Sequence, residues 1–257
     1  MGPQAGERVS FVNRVFHWFS TAGHWHGSDG IPHRVYQHMS ISLVAVAAAL
    51  LVALPFALWL GHVGRGSFAA ISIANAGRAI PSFALLVIGV QVFGIGAKPV
   101  FLALFALSIP PIVTNTYTAI RGVDPDVKQA ATGMGMTGWE VLTRVEIPSA
   151  IPLIFAGIRT AGVQAVATAT LGAVVAYGGV GQYITDGIPQ RDNVQVFAGA
   201  LIVAILSFLT EIGLARVQRA VTPKGLRVAT GRDLAALPGA ATTAMTTRTG
   251  ASGAEAA

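Results

Sequence analysis

The sequence predicts an all-α, polytopic membrane protein with five core transmembrane helices, or six, and one folded cytoplasmic helix–turn–helix. Of its 257 residues, 53% are hydrophobic and only 11% are charged, whereas a soluble domain carries about 25% charged residues. Five apolar stretches also approach the roughly 20 residues that a helix needs to cross a bilayer. A single long polar segment, residues 121–152, separates the third stretch from the fourth.

The five predicted spans are long apolar runs with no acidic residue deep inside them. They are residues 41–61, 68–93, 99–120, 150–177 and 194–210, the last extended by a turn to Leu214. Pro81, Pro110 and Pro111 fall inside spans, which is typical of broken helices that line a pathway. Arg78 and Arg159 lie toward the cytoplasmic ends of their spans, where we expect them to snorkel to the interface.

The polar segment begins with the signals of a short helix. Asp124 can cap a helix, and Pro125 fits the first helical position, where a missing N–H costs nothing. We expect this helix to run through Val127 and residues 129–131. Gly133 and Gly135 are then expected to end it, because glycine reaches left-handed dihedral angles without strain.

A second short helix is predicted immediately afterwards. Thr137 and Glu140 have the spacing of a capping box, and Pro148 and Pro152 mark the start of the next span. The two helices form a helix–turn–helix whose apolar side chains, Met134, Met136 and Trp139, are expected to be exposed for contact with a partner.

This segment resembles the cytoplasmic loop of the permease subunits of bacterial ABC importers. Their pattern is E-A-A-x-x-x-G, nine residues, then I-x-L-P, and both spacings are found here, with Gln at the position of the family's Glu. The resemblance implies a type-I importer fold and a loop that couples to a cytoplasmic ATPase. The residues that would couple are Gln129, Ala130, Ala131, Gly135, Trp139, Val145, Ile147 and Pro148.

A net charge of +6 on its own would suggest nucleic-acid binding. The basic residues, however, flank apolar spans rather than cover one soluble face, and this placement favours a membrane topology. Cytoplasmic basic residues would be Arg65, Arg216, Arg219, Lys224 and Arg227, against only Lys98 and Arg191 in the short loops outside. The chain is therefore expected in the bacterial plasma membrane, with its N-terminus outside and its C-terminus inside.

The two ends of the chain differ from its centre, residues 37–218. In residues 1–36, apolar side chains recur at helical spacing (Phe11, Val12, Val15, Phe16 and Phe19), which predicts an amphipathic helix at the interface. The histidines His17, His24, His26, His33 and His38 fit no metal-ligand spacing, so we expect solvated or interfacial side chains rather than a metal site. Residues 219–257 have the composition of a disordered tail.

Small polar residues recur on two spans. Thr160, Gln164 and Thr168 lie four residues apart and therefore share one helix face. Asn115 and Thr118 form a second group on the third span, beside Thr114. These residues could line an uncharged solute pathway; the alternative is that they hydrogen-bond neighbouring helices to each other.

The sequence contains no motif that would couple transport to an energy source. There is no G-x-x-x-x-G-K-[ST] phosphate loop and no arrangement of acids or nucleophiles typical of an enzyme, and the glycines Gly178, Gly179 and Gly181 fit a turn. The spans also lack the buried carboxylate that proton- or sodium-coupled carriers usually keep. Transport is therefore either passive or driven by another protein.

A narrower resemblance covers about residues 36–218 and points to the osmoprotectant (glycine betaine, carnitine, choline) branch of importer permeases. Five strings carry it: R-A-I-P-S-F-A-L-L from Arg78, P-I-V-T-N-T-Y from Pro111, G-M-G-M-T from Gly133, A-G-I-R-T-A from Ala156 and G-G-V-G-Q-Y-I from Gly178. That branch implies a permease dimer of identical or sister chains, two cytoplasmic ATPase subunits that bind the ATP, and a separate external binding protein. The alternatives are a stand-alone carrier or channel and a membrane scaffold without a pathway.

Overall fold

The computed structural model describes residues 4–64, 68, 70, 72–73, 75 and 79–222, with side chains from residue 10 onward, and in this part all regular structure is helical. The α-helices are α1 (Gln4–Ser20), α2 (Ile31–Val63), α3 (Ser82–Phe93), α4 (Ala97–Arg121), α5 (Pro125–Gly133), α6 (Gly138–Val141), α7 (Ile147–Thr168), α8 (Gly181–Gln190) and α9 (Asn193–Val221). A π-helix (Leu142–Glu146) joins α6 to α7, and 3₁₀-helices cover Ala22–Trp25 and Ala169–Val175.

Four of the predicted spans form helices that are long and apolar enough to cross a membrane. They are α2, α4, α9 and the continuous helical run Gly138–Val175. With 33 residues, α2 is about 50 Å long at 1.5 Å per residue, so it extends well beyond a hydrocarbon core of about 30 Å.

The remaining predicted span, residues 68–93, is broken at Pro81. Ile80 and Pro81 are not helical, and α3 begins only at Ser82 and has 12 residues. Because proline removes a backbone donor and restrains the residue before it, a break at this position is expected. Arg78 and the string that begins with it lie partly outside the described residues.

A stripe of alanines on α2 allows the spans to approach closely. Ala45, Ala49, Ala53 and Ala57 recur every four residues and are at most 2% exposed. Ala49, Ala53 and Ala57 belong to a core cluster that also contains Ile112 from α4. Small residues at such positions let helix backbones come together, which is how helices pack in lipid.

The ends of α2 and α9 lie beside the polar segment, on one side of the molecule, as the pattern of basic residues predicted. His62, at the end of α2, has its Nδ1 2.7 Å from the Glu146 carboxylate, and Gln218 of α9 donates from Nε2 to the carbonyl of Pro152 at 2.8 Å. The end of α2, the polar segment and the end of α9 therefore share one side. Arg65, Lys224, Arg227 and the tail from residue 223 lie outside the described residues.

The glycine turn lies at the opposite end of the molecule. Gly178 and Gly179 have positive φ angles of 99° and 74°, and the Gly179 N–H donates to Oε1 of Gln37 at 3.1 Å. The predicted turn is confirmed.

Burial raises the pKa of the Tyr183 hydroxyl, which stays protonated at neutral pH and donates to the carbonyl of Asp29.

The N-terminal helix α1 packs on α9 near this outer end. Val15 and Trp18 are buried, whereas Phe16 is 71% exposed, and the rings of Phe11 and Phe197 meet edge to face at 5.5 Å. The helix is amphipathic, as predicted, but its anchor is Trp18, a residue that the apolar pattern did not single out.

The prediction for His38 was wrong. This histidine is not solvated, because it is 1% exposed and its Nε2–H donates to the Val166 carbonyl at 2.8 Å. Arg159, which was expected to snorkel, has its Nε 3.1 Å from the Glu211 carboxylate and donates from Nη1 to Gln218. The partners of both residues lie on distant parts of the chain, which local spacing does not reveal.

Candidate functional site

The polar segment folds as two short helices joined by a tight turn, beginning with α5. Asp124 caps α5 by accepting the N–H of Asp126 on Oδ1 at 2.8 Å, and Pro125 occupies the first turn. The helix ends after Gly133, and Gly135 then adopts a φ of +86°. The predicted cap and left-handed turn are confirmed, with Gly133 as the last helical residue.

A complete capping box starts α6. The Thr137 N–H donates to Oε2 of Glu140 at 3.0 Å, and the Glu140 N–H donates to Oγ1 of Thr137 at 3.4 Å. Two backbone donors that would otherwise lack partners are satisfied in this way. The start of the second helix is therefore fixed by its own sequence.

The second helix continues into the next span without a break. Pro148 and Pro152 were expected to mark the start of that span, and the π-helix Leu142–Glu146 joins α6 directly to α7 at this point. Pro148 lies in the first turn of α7, and Pro152 lies inside the helix. The second helix of the segment is thus the cytoplasmic extension of a membrane helix.

The outer surface of the segment exposes three large apolar side chains. Trp139 and Met134 are 72% and 74% exposed, and Val127 is 48% exposed. Gln129 and Ala130 are exposed beside them. We call this surface the docking face. Large apolar side chains presented together are typical of a protein interface.

Some of the predicted coupling residues lie elsewhere. Ala131 is only 2% exposed and packs inward, and Met136 is half-buried, contrary to its expected exposure. Val145, Ile147 and Pro148 are half-buried at the junction with α7. Ala131 is therefore part of the buried side of the segment and does not belong to the docking face.

Beneath the docking face lies an ion-pair network that the sequence analysis missed. The Glu146 side chain is 2% exposed, and its carboxylate lies 2.9 Å from Nζ of Lys128 and 2.7 Å from Nδ1 of His62. Asp124 and Glu140 cap helices, as predicted, whereas Glu146 is buried and caps no helix. Its position between Val145 and Ile147 is the only local sign of burial.

The predicted pathway residues lie on α4 and α7, which cross closely at Gly157. A β carbon added to Gly157 would lie 2.6 Å from Cβ of Asn115. Thr160 follows one turn later on α7 and is exposed, as is Thr118 on α4. Asn115, Gln164 and Thr168 are half-buried. The crossing thus brings Asn115 into contact with the helix that carries the other polar group.

Asn115 and Thr160 form side-chain hydrogen bonds within their own helices. Asn115 donates from Nδ2 to the Pro111 carbonyl at 2.8 Å, and the Thr160 hydroxyl donates to the Ala156 carbonyl at 3.0 Å. Such bonds do not tie one helix to another. They leave the side-chain oxygen of each residue able to accept a hydrogen bond from elsewhere.

The helical fold and the docking face together define a class of protein. A membrane domain of long apolar helices, with a rigid polar segment that offers an apolar face on one side, is the transmembrane subunit of a transporter. The chain belongs to the family of binding-protein-dependent transport system inner membrane components, which residues 38–223 match.

Relatives with assigned names cover most of the chain. The glycine betaine/carnitine/choline transport system permease protein OpuCB of Bacillus subtilis is 40% identical over 195 residues, which are 76% of this chain and 90% of that protein. The osmoprotectant import permease protein OsmW of Salmonella typhimurium is 38% identical over 202 residues, 75% of this chain and 92% of that protein.

Solved structures share the fold. The inward-facing MetNI methionine ABC transporter superposes with a TM-score of 0.64 at 22% identity, covering 74% of this chain and 94% of that chain. An amino acid ABC transporter with histidines gives a TM-score of 0.56 at 20% identity, covering 72% and 89%. The chain is therefore a type-I ABC importer permease in fold, and a multi-pass protein of the bacterial plasma membrane.

Proposed function

We propose that this chain forms the translocation pathway of an ATP-driven importer of a small osmoprotectant such as glycine betaine, carnitine or choline. The relatives named for these solutes support this class of substrate. The observation that carries the proposal is the docking face, since a rigid apolar surface on the cytoplasmic side of a permease requires a partner.

In this proposal, ATP binding, solute delivery and completion of the pathway depend on separate partner proteins. Two cytoplasmic ATPase subunits bind ATP, and each receives one docking face in a groove. A separate external binding protein delivers the solute, and a second permease, identical or a sister chain, completes the pathway. This chain itself has no ATPase site and needs no cofactor of its own. Closure of the ATPases moves the loop helices and, with them, the spans between two states.

The side chains proposed for the pathway suit a zwitterion or a quaternary ammonium ion. Asn115, Thr118, Thr160, Gln164 and Thr168 are uncharged, so they can solvate a solute without holding it tightly. Glu211 is the one acid within α9, and Arg159 neutralises it at 3.1 Å. That pairing argues against a free carboxylate relay and therefore against proton coupling.

The pathway assignment is tested by uptake of radiolabelled glycine betaine into proteoliposomes that contain the complete transporter. Gln164→Leu and Thr160→Val are each expected to lower uptake about tenfold, the effect of losing one hydrogen bond worth about 1.4 kcal/mol in the transition state. Thr210→Val is the matched control, because the Thr210 hydroxyl also bonds within its own helix, to the Leu206 carbonyl. Equal uptake by all three variants would contradict the assignment.

The choice of solute is tested by competition in the same assay. Unlabelled choline and carnitine should reduce the uptake of labelled glycine betaine, whereas methionine and histidine should not. If methionine competes as well as choline, the osmoprotectant assignment is wrong, although the chain would still be an importer permease.

A further inference from the structure

The carboxylate of Glu146 joins elements that are far apart in the chain. It ends the π-helix at the start of α7, and its side chain is 2% exposed. Oε1 lies 2.9 Å from Nζ of Lys128, and Oε2 lies 2.7 Å from Nδ1 of His62. Lys128 belongs to α5, and His62 belongs to the end of α2. One carboxylate therefore holds three helices.

Lys128 extends this network to a fourth helix. Its Nζ also donates to the carbonyl of Ile120, in the last turn of α4, at 2.9 Å. Ile120 and Leu142 are buried in an apolar cluster at this level. A charge in such surroundings is stable only with partners, and removing one partner leaves the other uncompensated.

The network reaches α5 through Lys128, which lies about 100° around the helix from the exposed Val127 of the docking face. Val127, Ala130 and Met134 are exposed at positions i, i+3 and i+7, which share one side of a helix. Lys128 and Ala131 point inward; Ala131 is 2% exposed and Lys128 is half-buried. A force applied to the docking face reaches the spans through these inward side chains.

We propose that Glu146 is the positioning residue that makes the loop helices and the cytoplasmic ends of α2, α4 and α7 move as one body. This inference rests on the proposed function and deepens it. Through Lys128 the carboxylate carries a displacement of α5 to α4 and α7, and through His62 it carries the displacement to α2. Without the charge, α5 and α6 follow the ATPase while α2, which the chain does not join to them, lags behind.

The π-helix supports this role. A π-helix interrupts the regular hydrogen-bonding pattern of an α-helix and is frequently found at functional sites. Here it covers Leu142–Glu146, the five residues that connect the docking face to the span. The extra residue per turn rotates the following side chains, so the position of Glu146 depends on this irregular turn.

The test measures solute imported per ATP hydrolysed by the complete transporter in proteoliposomes. Glu146→Gln keeps the size of the side chain but removes its charge. It should lower this ratio about threefold to thirtyfold, the range expected for residues within a coupling network. ATP hydrolysis and co-purification of the ATPase should remain. Glu140→Gln is the matched control, since Gln also serves in a capping box, and its ratio should equal that of the parent.

A second variant separates positioning from assembly. Lys128→Met leaves Glu146 with His62 alone, and it should also lower the ratio while the ATPase still co-purifies. The double variant should be no worse than Glu146→Gln, because both changes break the same network.

An unchanged ratio in Glu146→Gln or Lys128→Met, with the parent active, would overturn the inference. So would a parallel loss of ATPase binding and hydrolysis in both variants, since that outcome indicates a structural role alone. A parent complex that hydrolyses ATP without importing solute would instead contradict the proposed function.

Discussion

Gly157 of α7 lies directly against Asn115 of α4: a β carbon on Gly157 would come within 2.6 Å of Cβ of Asn115 and 2.7 Å of the Pro111 carbonyl oxygen. The two helices cross at this point, and Asn115 is one of the proposed pathway residues. The distance between the helices there depends on the absence of a side chain on Gly157.

Gly157→Ala is therefore expected to force α4 and α7 apart. Overpacking of this kind costs about 1–3 kcal/mol, so the purified protein should unfold several degrees earlier and uptake should fall. The measurement is thermal unfolding in detergent together with uptake in proteoliposomes. Gly213→Ala on α9 is the control, because nothing lies within 4 Å of its added carbon; equal melting of the two variants would contradict the close crossing.

Gly135→Ala tests the turn between the loop helices. Gly135 has a φ of +86° and open space around it, so an added methyl group is penalised by backbone strain alone, about 1–2 kcal/mol. Hydrogen exchange of the α5 and α6 amides should become faster. Gly133→Ala, in the helix two residues earlier and also in open space, should slow exchange slightly, and faster exchange in both variants would be evidence against this account.

Trp139→Ala tests the docking face. A central exposed tryptophan at an interface contributes about 2 kcal/mol or more, so the affinity for the ATPase subunit should fall about thirtyfold. Membrane insertion should not change, because the side chain is 72% exposed. Trp25→Ala, at the opposite end of the molecule, is the control; undiminished ATPase binding by Trp139→Ala would show that this face is not the contact.

Thr137→Ala tests the capping box. The N-cap hydroxyl accepts the Glu140 N–H, and losing an N-cap costs about 1 kcal/mol. The amides of α6 should exchange roughly five times faster, given that 1.4 kcal/mol is a factor of ten. Thr132→Ala is the control, since the Thr132 hydroxyl bonds within α5 to the Lys128 carbonyl and its loss should have no such effect.

Local signals predicted much of this structure. The cap at Asp124, the left-handed Gly135 and the Thr137–Glu140 box each involve residues at most a few positions apart, so the sequence contains both partners side by side. Hydrophobic runs are also local signals; they predicted five spans, and four of these form helices of crossing length. Pro81, a local signal as well, indicated the break in the remaining span.

Contacts between distant residues could not be predicted in this way. Glu146 and His62 are 84 positions apart, and nothing in the spacing of either residue indicates the other. The burial of His38 and Ala131 likewise depends on which helices pack against them. The π-helix that joins α6 to α7 was missed because its residues have no distinct pattern of their own.

The proposed function requires that this chain transports only when a separate ATPase drives it. The most direct measurement is uptake of radiolabelled glycine betaine by liposomes that contain the purified permease, with and without ATPase subunits, binding protein and ATP. We predict uptake against a concentration gradient only when all are present, and none with the permease alone. Sustained flux through the permease alone would contradict the claim and identify a stand-alone carrier or channel.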